Sequence, residues 1–116
     1  MDFRIDGAVI TAGRLLETVL VGIPDGEKTP VTGGPAAEMR EILKQLDEVL
    51  TAAGVGRTAV ASARLYLEHV NRDIAEVNAV YYEYFGDHRP IRRAYGVDLQ
   101  AGMLVEAAFV AELPDA

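Results

Sequence analysis

The sequence predicts an α+β domain, a single mixed β-sheet with two helices packed on one face, in the order β-β-α-β-α-β-β. Three observations predict it. Two stretches carry apolar residues at helical spacing, and each is followed by a glycine. Five stretches are short, β-rich and bounded by turn residues. The last of these alternates apolar residues along its whole length, as a strand facing a core does. Two amphipathic helices can cover only one face of one sheet, so the helices are expected on that face alone.

The elements follow in order. Phe3 to Ile10 and Leu15 to Ile23 read as a hairpin, joined through Thr11-Ala12-Gly13 with Gly13 as the turn residue. Pro24 to Pro35 (PDGEKTPVTGGP) is a connecting loop, and its final proline suits the first turn of a helix. The first helical stripe is Met39, Ile42, Leu43, Leu46, Val49, Leu50 and Ala53, ended by Gly54. Lys44, Asp47, Glu48 and Thr51 fall on its solvent side, and Glu38 and Glu41 are expected with them. Thr58 to Leu67 reads as a strand with Ala59, Ala61, Ala63, Leu65 and Leu67 on one face. Val60, Ser62, Arg64 and Tyr66 share the other; Tyr66 is expected to pack in a core, with lining a cleft beside Arg64 as the alternative. Asn71 is a candidate cap for the second helix, with Asp73 and Glu76 in its first turns. Its stripe is Ile74, Val77, Tyr81 and Tyr84 or Phe85, and Gly86 ends it. Arg92 to Val97 and Met103 to Leu113 are the last two strands.

Composition narrows the function. A chain of 116 residues fits one domain, here residues 1–116. Its formal charge of −7 opposes binding to nucleic acid or to anionic membranes, both of which need an excess of Lys and Arg. The absence of cysteine excludes disulfides, thiolate metal sites and cysteine nucleophiles, and suits a reducing compartment. The N-terminus lacks a basic start followed by an apolar run, and no apolar run is long enough to span a bilayer, so a cytoplasmic protein is expected. His69 and His88 have no metal-ligand partner at useful spacing, and no cofactor is expected.

The last strand presents Met103, Val105, Ala107, Phe109, Ala111 and Leu113 to the helices. Its opposite face carries Leu104, Glu106, Ala108, Val110 and Glu112, more apolar than a solvated face. A second copy of the chain is expected to cover that face, in closed cyclic symmetry. Glu106 is then a partly buried carboxylate. The preceding strand supplies a cation, Arg92, followed on its own face by the small residues Ala94 and Gly96, which leave room for a ligand. A guanidinium suits a carboxylate bidentately. His88, Arg89, Arg92 and Arg93 form a local basic cluster in an acidic chain. On this reading Arg92 and Glu106 share the face that the helices leave open.

These blocks resemble the Rid family, the RidA/YjgF-type enamine/imine deaminases. The resemblance is carried by EVNAVYYEYF (Glu76 to Phe85), Pro90-Ile91-Arg92, VEAAFVA (Val105 to Ala111) and LTAAGVG (Leu50 to Gly56) with the strand after it. It covers roughly Ala36 to Leu113. It implies a chorismate-mutase-like fold, a homotrimer with ligand clefts between subunits, and cofactor-free hydrolysis of 2-aminoacrylate-type enamines and imines to 2-keto acids and ammonia. Carried over residue by residue, it makes Arg92 the anchor for the substrate carboxylate and Glu106 the residue that positions the attacking water. Asn78 is mainly structural in that comparison. The chain departs from the family at Arg4-Ile5-Asp6, where a Pro-Tyr is usual, at Val21-Gly22-Ile23-Pro24, and at Ala94, where cysteine is common.

The expected chemistry follows. Arg92 holds a small imino acid, backbone groups near Ala94 or Gly22 polarise the imine or the water, and Glu106 acts as general base. The alternative is a non-catalytic homotrimer of the same fold that binds a metabolite or a partner protein.

Overall fold

The computed structural model describes residues 3–5, 7–11 and 14–114, with side chains described from residue 7 onward. Gly13, the expected turn residue, lies outside the described residues. The elements are β1 (Phe3–Ile5), β2 (Ala8–Thr11), β3 (Leu15–Val21), α1 (Gly34–Ala52), a short 3₁₀ turn (Arg57–Ala59), β4 (Val60–Leu67), α2 (Val70–Phe85), β5 (Ile91–Gly96) and β6 (Val105–Glu112). They form one six-stranded sheet in the order β1-β2-β3-β6-β4-β5. All pairs are antiparallel except β4 with β5, which the α2 crossover makes parallel. This is the mixed sheet with two helices that the pattern predicts.

Four details differ from expectation. The first strand is two, because the chain turns at Gly7, whose φ of 82° only glycine adopts readily. α2 begins two residues earlier than an Asn71 cap requires, with His69 at the cap position and Asn71 already helical. β4 carries a bulge, since Val60 faces Ala111 and Ser62 faces the adjacent Val110. The extra residue, Ala61, turns outward and Val60 joins the core, reversing the expected faces at this end of the strand. Beyond the bulge, Ala63, Leu65 and Leu67 face inward as predicted.

The fourth difference concerns Glu38. It is not on the solvent side of α1 but only 2% exposed. The buried positions of α1 are Pro35, Glu38, Met39, Ile42, Leu43, Leu46, Val49 and Leu50, and Glu38 stands in phase with them.

α1 lies over β3 and β6, and α2 over β4 and β5. Between them and the sheet the core contains Phe109, Val105 and Ala107 of β6, Leu16 and Leu20 of β3, and Tyr81 and Phe85 of α2. Burying a side chain such as Phe109 contributes about 1.5–3 kcal/mol. The opposite face of the sheet stays open. It exposes Leu15, Val19, Ile91 and Tyr95, with Val19 64% and Ile91 81% exposed. No helix among the described residues is long and apolar enough to cross a membrane.

Candidate functional site

Register decides which predicted residues meet. Arg92 pairs with Ala63, and Ala94 with Leu65, both core-facing residues of β4. Glu106 pairs with Tyr66 on β4 and with Val21 on β3. Ala63 and Tyr66 are three residues apart, so they lie on opposite faces of the strand. Arg92 therefore lies on the helix-covered face and Glu106 on the open face, contrary to the expectation that they share one. With β4 between their strands, their Cα atoms are roughly 14 Å apart within one chain.

α2 builds the surroundings of Arg92. Asn78, Tyr81 and Tyr82 stand at i, i+3 and i+4, on one side of the helix. The Arg92 Nη2 donates a hydrogen bond to Asn78 Oδ1. Its guanidinium carbon lies 5.2 Å from the Tyr81 ring centre and 5.5 Å from that of Tyr82, within reach of both π faces. The Nε of Arg92 and the hydroxyl of Tyr81 are buried without hydrogen-bond partners. Burial pushes the Tyr81 phenol up to about 12, against the pull of Arg92, so it keeps its proton at neutral pH. Arg89 lies 5.0 Å from the Tyr82 ring, and its Nη1 donates to the Gly86 carbonyl at the end of α2.

The small residues beside Arg92 have a structural cause. A methyl group at Gly96 would lie 2.7 Å from Val70 Cγ1, and Ala94 packs against the core. The space they were expected to leave is therefore filled in part by α2. The basic cluster also divides: Arg89 and Arg92 flank Tyr82, Arg93 lies on the open face, and His88 Nε2 is 2.7 Å from the Val60 carbonyl. Among the described residues no His/Asp/Glu group could hold a metal ion.

The open face carries Glu106 in one row with Val21, Tyr66 and Tyr95. Tyr66 is not a core residue; its ring stacks on Tyr95, with centres 5.6 Å apart and planes at 19°. Arg64 and Arg93 occupy the next row. A shallow concavity of about 600 Å³ runs from Val9, Glu17 and Val19 to Arg64 and Val110 on this face.

Glu38 was missed as a residue of this region. Its carboxylate accepts hydrogen bonds from the backbone N–H groups of Leu104 at 2.8 Å and Val105 at 3.3 Å. Gly22 makes room for it, since a methyl there would lie 2.8 Å from Glu38 Cβ. The Gly22 carbonyl accepts from Val31 N–H at 2.9 Å. Burial raises the Glu38 pKa, opposed by the two backbone donors, and nearby Asp73 raises it further. Asp73 is itself buried, held ionised below the usual range by its hydrogen bond from Arg72.

Comparisons with known proteins agree with this fold. Residues 3–113 match the family described as Endoribonuclease L-PSP. Human 2-iminobutanoate/2-iminopropanoate deaminase is 36% identical over 92 residues, 78% of this chain and 66% of that one. A RutC family protein of Pyrococcus horikoshii is 36% identical over 105 residues, 88% of this chain and 82% of that one. Among solved structures, a Rid-family protein of unknown function from Yersinia pestis superposes with a TM-score of 0.83 at 27% identity, covering 92% of this chain and 86% of that one. The chain thus spans just under two thirds of its human relative's length.

Proposed function

Since the chain belongs to the endoribonuclease L-PSP family, which includes the Rid proteins, we propose that it hydrolyses small 2-imino acids and their enamine tautomers, such as 2-aminoacrylate, to 2-keto acids and ammonia. The observation that carries this reading is the Arg92 site. Asn78 engages one donor of the guanidinium, while the Nε–H and the Tyr81 hydroxyl are buried and unpaired. Unpaired buried polar groups are costly, and a bound carboxylate supplies acceptors for them.

In the reaction, water adds to the imine carbon and the resulting carbinolamine expels ammonia, leaving a carbonyl. Arg92 anchors the substrate carboxylate. Glu106 takes the proton from water as general base, a role that typically contributes about 10²–10⁴-fold in rate. Backbone groups at Ala94 and Gly22 polarise the imine nitrogen or hold the water. No cofactor is required.

Arg92 and Glu106 occupy opposite faces of one sheet, so a cleft using both is made from two copies. Arg92 and Ala94 come from one chain, and Glu106 with Gly22 from the next. A homotrimer with three such clefts fits this reading. The open face offers apolar residues to bury, Leu15, Val19, Ile91 and Tyr95, and charges of both signs to match, Glu17 and Glu106 against Arg64 and Arg93. A cytoplasmic location is part of the proposal.

The test is ammonia and 2-keto acid release from 2-aminoacrylate generated in situ. Arg92→Ala abolishes release while the assembly persists. Full activity in that variant contradicts the reading. A ligand bound at Arg92 without turnover in the wild-type protein favours the non-catalytic alternative. The family description raises RNA cleavage, which the formal charge of −7 disfavours.

A further inference from the structure

We propose that Glu38 is a positioning residue for Glu106. The proposal rests on the reading that Glu106 activates water, and goes beyond it by naming what holds Glu106 in place.

β3 pairs with β6 only as far as Val21, opposite Glu106. Beyond that point β3 turns away at Gly22, and the N–H groups of Leu104 and Val105, the two residues before Glu106, need other acceptors. Glu38 supplies one, at 2.8 and 3.3 Å, from a side chain 2% exposed. Its carboxylate reaches them past Gly22, where no Cβ stands in the way. One side chain of α1 thus continues the sheet edge where β3 ends, and ties the two backbone amides that lead into Glu106. A buried carboxylate is costly unless it is hydrogen-bonded, and here Oε1 accepts from both amides, with the Leu104 bond the shorter of the two. Arg92 lies on the other sheet face, held by Asn78 of α2, so Glu38 acts on the proton-transfer half of the site and not on the carboxylate anchor.

The experiment compares Glu38→Met, Glu38→Gln and Glu106→Gln with wild type, using 2-iminobutanoate generated in situ and recording kcat, KM and melting temperature. Methionine keeps the unbranched shape and helix preference but accepts no strong hydrogen bond. It lowers kcat by about 10- to 100-fold, the range expected for misplacing a reacting group by about 1 Å, and leaves KM within about threefold. Glutamine keeps an oxygen acceptor for Leu104 and Val105 and holds kcat within about threefold of wild type. Glu106→Gln is inactive. A folded Glu38→Met protein with wild-type kcat, beside an inactive Glu106→Gln, overturns the positioning role alone. A fully active Glu106→Gln overturns the general-base reading and this proposal with it. Equal losses in the Met and Gln variants, in kcat and KM together, also overturn it. If Glu38→Met does not fold, Glu38→Asp withdraws the carboxylate by about 1.5 Å, out of hydrogen-bond reach of both amides. It gives the same kcat-specific loss, and wild-type kcat there contradicts the proposal.

Discussion

Asn78→Asp is a sharp probe of the Arg92 site because it changes charge and almost nothing else. Asn78 Oδ1 accepts from Arg92 Nη2, and a carboxylate oxygen of the same shape accepts the same bond. The fold is therefore expected to hold, with a melting temperature equal to or above that of wild type. Substrate binding is not. A substrate carboxylate on the same guanidinium would sit about 5 Å from the new negative charge. At an effective dielectric of about 20, two unit charges at that distance repel by about 3 kcal/mol. That corresponds to a weakening of roughly 10²-fold. The assay is 2-keto acid release from 2-iminobutanoate over a range of concentrations. KM rises by about two orders of magnitude, and kcat falls far less, because the lost interaction is made equally in ground and transition states. A KM within threefold of wild type, in a protein with unchanged melting temperature, would refute the assignment of Arg92 as carboxylate anchor.

Further outcomes follow from the same structure. Burial raises the Glu38 pKa, so the folded chain keeps that proton to higher pH than the unfolded chain does. The stability it contributes is complete at acid pH and is lost as pH rises through the folded pKa. Glu38→Gln removes the titration and keeps the acceptor. Urea unfolding is expected to show little difference from wild type at acid pH and a growing gain for the variant toward neutral pH; a constant difference at all pH values would exclude the burial argument. Gly96→Ala places a methyl 2.7 Å from Val70 Cγ1 and costs about 1–3 kcal/mol. Val70→Ala in the same chain should recover part of that loss; additive effects in the double-mutant cycle would show that the two do not touch.

Much of this fold can be read along the chain. The alternation from Met103 to Leu113 predicts both faces of β6, and the structure buries the predicted set from Val105 to Leu113. The α1 stripe and Gly54 mark the first helix to within a turn or two. What is hidden is register. A strand's alternation tells which residues share a face but not which face the helices cover, and β5 has no long apolar row to decide it. Ala94 and Gly96 carried the signal: small residues beside Arg92 mean close approach of α2 as readily as space for a ligand. Glu38 was legible in part. Its spacing from Pro35, Ile42 and Leu46 places it in the buried stripe, but a carboxylate there predicts solvent until its backbone donors on β6 are known. The bulge at Ala61 leaves no comparable mark, since a row of alanines and valines fits either phase.

Mixing two inactive variants tests the two-copy cleft most directly. Arg92→Ala chains retain Glu106, and Glu106→Gln chains retain Arg92. Unfolded together in equal amounts and refolded, they form mixed assemblies in which roughly a quarter of the clefts join an intact Arg92 to an intact Glu106 from the next chain. About a quarter of wild-type activity should return, although each variant alone is inactive. If mixed assemblies form, as shown by exchange of a mass-tagged chain, and no activity returns, Arg92 and Glu106 do not act in a cleft shared between copies.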